Sequence, residues 1–183
     1  MARSNVDTSG EMVLEGYAVL FDTPSEDLGG FREIIAPNAL NGVDIDDVKC
    51  LINHEFKYII GRTKAETLEL EVDKKGLRFK CYLPETSYAR DIYENVKAGN
   101  VTQCSFFYTL PNEKDAKTWT NKNGEYIQTI NKIDELVEIS IVTVPAYRDT
   151  TVEVGQRAKD LERFKALEKL NIELELEALR INS

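Results

Sequence analysis

The 183-residue sequence has one histidine and three cysteines, and each scarcity removes a class of chemistry. A single imidazole rules out most zinc-site layouts. Cys50, Cys81 and Cys104 form no CxxC group and leave at least one thiol unpaired. No metal and no cofactor are therefore expected, and the cysteines read as reduced thiols in apolar strands. Nowhere do eighteen consecutive apolar residues occur, and the first twenty residues hold neither a long apolar run nor a small-residue cleavage pattern. Neither a signal peptide nor a membrane span is indicated, and a cytoplasmic location is expected. Positive charge is also sparse. Lys and Arg number 23 against 32 Asp and Glu, so the net charge of −9 disfavours phosphate backbones and argues against a nucleic-acid partner.

What remains, 42% hydrophobic and 30% charged residues, is the balance of a globular protein with one core. Residues 1–11 are polar and aperiodic, which predicts a flexible N-terminus. A strand is predicted over Met12 to Phe21, followed by the turn residues Asp22-Thr23-Pro24-Ser25, and another over Phe31 to Ile35. Ala36-Pro37-Asn38-Ala39-Leu40 reads as a turn opening a brief helix that ends at Gly42. Apolar runs at Val48 to Asn53, Ile59 to Thr63 and Leu68 to Val72 follow, then a hairpin turn at Asp73-Lys74-Lys75-Gly76 leading into Leu77 to Leu83.

Tyr88, Ala89, Ile92, Tyr93 and Val96 fall at helical spacing, which predicts a helix over Thr86 to Lys97, with Thr86 or Ser87 as cap and Gly99 as stop. Val101 to Leu110 reads as a strand, Pro111 to Glu125 as a polar loop, and Tyr126 to Asn131 leads into a last strand at Ile133 to Val144. The predicted class is α+β, mainly β, with a barrel or sandwich core over residues 12–155. Residues 156–183 turn to Glu, Lys, Arg, Leu and Ala in a largely helical pattern and read as a helical tail.

Three polar residues stand in apolar surroundings. His54 ends the run Cys50-Leu51-Ile52-Asn53 at a strand end, where a rigid element can aim it, although a surface histidine beside a turn needs no function. Ser105 lies in the strand Val101 to Tyr108, where its hydroxyl must find a partner; a backbone carbonyl would satisfy it. Glu138 lies amid Leu136, Val137, Ile139, Ile141 and Val142. A period of two puts Glu138 on one face with Leu136, Ser140 and Val142, and a carboxylate there must be paired. An imidazole N–H would pair it, and so would Arg62, Arg78 or Arg148. If the protein performs Ser-His chemistry, His54 has no competitor as base.

An ordered series of short motifs resembles the caudovirus prohead protease family. It runs from Gly16-Tyr17-Ala18-Val19-Leu20-Phe21 through Phe31-Arg32-Glu33, Ala36-Pro37-Asn38-Ala39-Leu40, Asn53-His54-Glu55 and Ile60-Gly61-Arg62. It continues with Lys75-Gly76-Leu77-Arg78-Phe79, Leu83-Pro84-Glu85-Thr86, Val96-Lys97-Ala98-Gly99-Asn100-Val101, Ser105-Phe106 and Leu136 through Tyr147. The resemblance implies a fold similar to the herpesvirus assembly protease (assemblin), a β-barrel with surrounding helices.

The implied task is that of a serine endopeptidase cutting capsid precursor or scaffold segments inside an immature phage prohead in the host cytoplasm. Ser105 would be the nucleophile, His54 the general base and Glu138 the third member, with Asp134 and Glu135 as rivals to Glu138. The implied partners are the major capsid protein precursor or scaffold and further copies of the chain, and self-cleavage in the Gln156-Arg157-Ala158 linker is a further implication.

One departure stands out. The family usually has Ser-Phe-Gly-Phe where this chain has Ser105-Phe106-Phe107-Tyr108. Glycine would allow close backbone approach there. Phe107 thus keeps open an alternative, a catalytically impaired capsid assembly or scaffold-binding module of the same fold. A hydrolase of non-peptide esters is less well supported, because no Gly-x-Ser-x-Gly elbow occurs.

Overall fold

The computed structural model describes residues 3–6, 12–143 and 162–174. Eleven strands and a helix are arranged as β1 (Arg3–Val6), β2 (Met12–Leu20), β3 (Phe31–Ile35), β4 (Lys49–Ile52), β5 (Glu55–Arg62), β6 (Leu68–Val72), β7 (Gly76–Tyr82), α1 (Ser87–Lys97), β8 (Gln103–Thr109), β9 (Lys117–Lys122), β10 (Glu125–Ile130) and β11 (Glu135–Val142). A second helix, α2, spans 162–174. The strands form three sheets, ordered β1-β2-β7-β6, β3-β10-β9 and β5-β4-β11-β8.

The fold is mainly β as predicted, but among the described residues no sheet closes into a barrel. The strands β2 and β8 approach one another without pairing. A cavity of about 320 Å³ lies between them, lined by Tyr17 and Leu20 on one side and Cys104 and Phe106 on the other. This seam stays open, and the strands remain in three separate sheets.

Helix α1 forms where the spacing predicts it. The Thr86 hydroxyl accepts from Ala89 N, and Ala89, Ile92, Tyr93 and Val96 are buried. Such a cap contributes about 1 kcal/mol. Burying each of the two aliphatic side chains, Ile92 and Val96, contributes roughly 1.5–3 kcal/mol more. The predicted hairpin turn also forms. Val72 pairs with Leu77, and Asp73 Oδ1 accepts from the Lys75 and Gly76 amides. Gly76 is required here, since a Cβ would stand 2.0 Å from Val19 O.

Three local expectations are corrected. Residues 3–6 do not hang free but pair antiparallel with Met12–Glu15 of β2, because an edge strand needs only backbone groups and no apolar alternation. The brief helix after Ala36 is a set of consecutive turns, closed by Ala39 N to Ala36 O, Asn41 N to Asn38 O and Val43 N to Leu40 O. The polar loop 111–125 contains β9, which pairs with β10 through the two-residue turn Asn123-Gly124, both at positive φ. Asn-Gly flanked by Thr-Trp-Thr and Tyr-Ile was a hairpin signal that the polar composition masked.

A small second core lies on the β3-β10-β9 sheet, where Leu28 and Phe31 pack with Trp119 and Tyr126. Helix α2 covers it. The Phe164 ring stacks on Trp119 at 5.9 Å and meets Tyr126 edge-on at 6.1 Å, and Asn121 donates to Glu168. The tail thus folds back on the body through Phe164, while Leu167, Leu170, Ile172 and Leu174 stay at least half exposed. Val144 to Tyr147, the 156–158 linker and the ends of the tail lie outside the described residues. No helix among the described residues is long and apolar enough to cross a membrane.

Candidate active site

Strand β11 runs between β4, which it pairs in parallel, and β8, which it pairs antiparallel. Strands on both sides explain its nearly continuous apolar sequence. Its register slips between Leu136 and Glu138, a β-bulge at Val137. Without the bulge, Glu138 would share a face with Leu136. Instead Leu136 joins the apolar core with Ile139 and Ile141, and Glu138 turns to the opposite face with Ser140. Bulges commonly re-aim a side chain in this way beside a functional site.

His54 comes from the β4–β5 hairpin. Ile52 pairs with Glu55, so Asn53 and His54 form a two-residue turn, with φ of 50° and 60°. A type I′ turn requires positive φ at both positions, and Asn and His tolerate it better than most residues. The turn is tied to β11 on both sides. Asn53 N donates to Ile141 O at 3.0 Å, and Asn53 Oδ1 accepts from Thr143 N at 2.9 Å. His54 N donates to Ser140 Oγ at 3.1 Å.

These ties bring the imidazole to the buried carboxylate. His54 Nδ1 donates to Glu138 Oε1 at 2.5 Å. A carboxylate can only accept, so the proton is assigned to Nδ1 by the chemistry of its partner. The second carboxylate oxygen is also engaged, as Ser140 Oγ donates to Oε2 at 2.6 Å. In the neutral imidazole this puts the lone pair on Nε2, which is buried without a hydrogen-bond partner among the described residues.

Ser105 lies directly opposite Ser140 in the β8–β11 register, which places both on the face that carries Glu138. Its side chain makes no hydrogen bond among the described residues, to a carbonyl or to His54, and the residue is 6% exposed. Base and nucleophile often close their hydrogen bond only when substrate binds. Phe107, half-buried, is the cross-strand partner of Glu138 on the same face. The β2–β8 cavity opens on the other face of β8, beside Cys104 and Phe106 rather than Ser105.

The alternatives left open by the sequence separate clearly. Asp134 and Glu135 are exposed at the start of β11, with Glu135 paired to Thr109. Neither is bonded to His54. Arg62 grips Asp47 through Nε and Nη2 at 2.5 and 2.8 Å, and that guanidinium holds the Asp47 carboxyl well below the usual range. Arg78 pairs with Glu15 and Glu71. Arg148 lies outside the described residues. The partner of Glu138 is thus the imidazole. Ser140 carried no role in the sequence reading, although a hydroxyl two residues from a carboxylate in one strand was a usable sign of it.

No curated protein and no solved structure matches the chain. The sequence model of one family, described as the caudovirus prohead serine protease, matches residues 1–166. By this match over nine-tenths of its length the chain belongs to the caudovirus prohead serine protease family.

Proposed function

We propose that the chain is an active serine endopeptidase that cleaves the capsid precursor or a scaffold segment inside the immature prohead. Ser105 is the nucleophile, His54 the general base and Glu138 the orienting carboxylate. The observation that carries this reading is the His54–Glu138 hydrogen bond, which fixes the tautomer with Nε2 free to accept a proton on the face that holds Ser105.

In the reaction, His54 Nε2 takes the Ser105 hydroxyl proton as Oγ attacks the peptide carbonyl. The resulting imidazolium is stabilised by Glu138 and protonates the leaving amine. Water, deprotonated by the same nitrogen, then releases the acyl group from Ser105. Oxyanion donors contribute about 2.7–4 kcal/mol each in serine proteases. Arg62 is committed to Asp47, so backbone amides are the better candidates. The exposed Leu167, Leu170 and Leu174 on α2 support docking to scaffold or to another copy of the chain.

Phe107 across from Glu138 favours a second reading, an inactive assembly module that keeps the fold. A fluorophosphonate probe separates the two. Labelling of the wild-type chain that disappears in Ser105→Ala supports the protease. No labelling, together with an uncut capsid protein after co-expression and mass analysis, favours the module.

A further inference from the structure

Ser140 is 1% exposed and its hydroxyl performs two tasks at once. It donates to Glu138 Oε2 at 2.6 Å and accepts the backbone N–H of His54 at 3.1 Å. It is no rival to Ser105 as nucleophile. Its proton is committed to the carboxylate, and the His54 nitrogen it meets is a backbone amide rather than the ring base.

Both ends of the imidazole–carboxylate pair pass through this oxygen. With Oε1 held by His54 and Oε2 by Ser140, the Glu138 carboxylate cannot rotate about its terminal bond. His54 sits at φ 60°, a conformation that L-residues adopt at a cost, and the Ser140 bond satisfies the amide of that strained residue. A small apolar residue would fill the same space without fixing either group. We propose that Ser140 is a positioning residue of this site, a hydroxyl clamp that sets the carboxylate and the histidine turn relative to each other. The role rests on His54 acting as base, as proposed above.

The test uses the full chain with Ser140→Ala and Ser140→Thr, which removes and restores the hydroxyl. Turnover is followed on a peptide spanning the cleavage site found in the co-expressed capsid protein. Because His54 is the sole histidine, its Nδ1 proton gives one resonance, shifted downfield by the short bond to Glu138. For Ser140→Ala, kcat falls about ten- to a hundredfold, part of the 10²–10⁴ that positioned acid–base groups supply, with KM within about twofold. The Nδ1 proton resonance moves upfield or broadens, and Ser140→Thr recovers both.

A folded Ser140→Ala protein with unchanged kcat and an unchanged resonance overturns the proposal. So does a loss that Ser140→Thr does not recover while the resonance stays in place, since that pattern marks packing alone. If Ser140→Ala does not fold, Ser140→Cys, close in size but a weak donor, takes its place with the same expectations. Should the wild-type chain prove inactive, the protease reading fails by itself, and the resonance still decides whether Ser140 holds the pair.

Discussion

Ser105 and Ser140 oppose each other directly in the antiparallel pairing of β8 with β11, so the proposed nucleophile is one cross-strand step from the hydroxyl that holds Glu138. Ser105→Ala and His54→Ala are expected to slow cleavage of the capsid precursor by at least about 10⁴-fold. Glu138→Gln should lose about 10²- to 10⁴-fold, and Glu135→Gln nothing. Gel and mass analysis of the precursor reads all four. If Glu135→Gln loses activity while Glu138→Gln cleaves normally, the carboxylate role passes to Glu135. Ser105→Ala should also be no less stable than wild type, to within about 0.5 kcal/mol, because the hydroxyl it removes has no partner among the described residues.

Asn53 anchors the turn that aims the histidine. Asn53→Ala places a less tolerant residue at φ 50° and removes the bond to Thr143 N, so a destabilisation of about 1–3 kcal/mol is expected in urea unfolding. Asn53→Gly restores the backbone freedom but not the bond. It should recover part of the stability and less of the activity. Equal stability and activity for all three would show that the Thr143 contact does not hold the turn.

Gly76 and Gly124 separate close approach from conformation. A Cβ at Gly76 meets Val19 O at 2.0 Å, whereas at Gly124 nothing lies within 4 Å and only φ 88° matters. Gly76→Ala should cost more than about 2 kcal/mol and Gly124→Ala about 1 kcal/mol, as read by thermal unfolding. A Gly76→Ala protein as stable as Gly124→Ala contradicts the packing of β2 on β7.

The thiols should be inert in the native protein. Burial pushes Cys104 up to about 12, and Cys50 is raised by its contact with the Cys81 thiol and by burial. The thiolate is the reactive form, so a raised value means little thiolate at pH 8 and slow alkylation. Alkylation should become fast only in denaturant, where all three side chains are exposed to the reagent and burial no longer raises Cys50 and Cys104. Prompt labelling of the native chain at pH 8 would contradict this.

Elements with strong local patterns were legible in the sequence: α1 from its spacing and cap, β2 and β3 from apolar runs, and the β6–β7 hairpin from Asp73 and Gly76. The histidine, serine and carboxylate were legible as odd polar residues in apolar runs, yet their company was not. His54 and Glu138 are 84 residues apart, and what joins them is the parallel pairing of β4 with β11. The bulge at Val137 was equally hidden, since simple alternation put Leu136 and Glu138 on one face. Strand β1 escaped notice because backbone pairing at an edge leaves no mark on side chains, and β9 because its polar residues outweighed an Asn-Gly turn.

On the proposed reading, the central place of β11 sets the time at which the chain could act. It separates β4 from β8, and it is the last of the eleven strands to leave the ribosome. Until it inserts, the histidine turn has nothing to lean on and the serine strand has no neighbour in its sheet. Pairing at such sequence separation is slow to form, because a long loop must close before any contact rewards it. On the proposed reading, a growing or truncated chain ending before residue 135 lacks Glu138 and the strand that supports His54 and Ser105, so cleavage would wait for completion of the sheet.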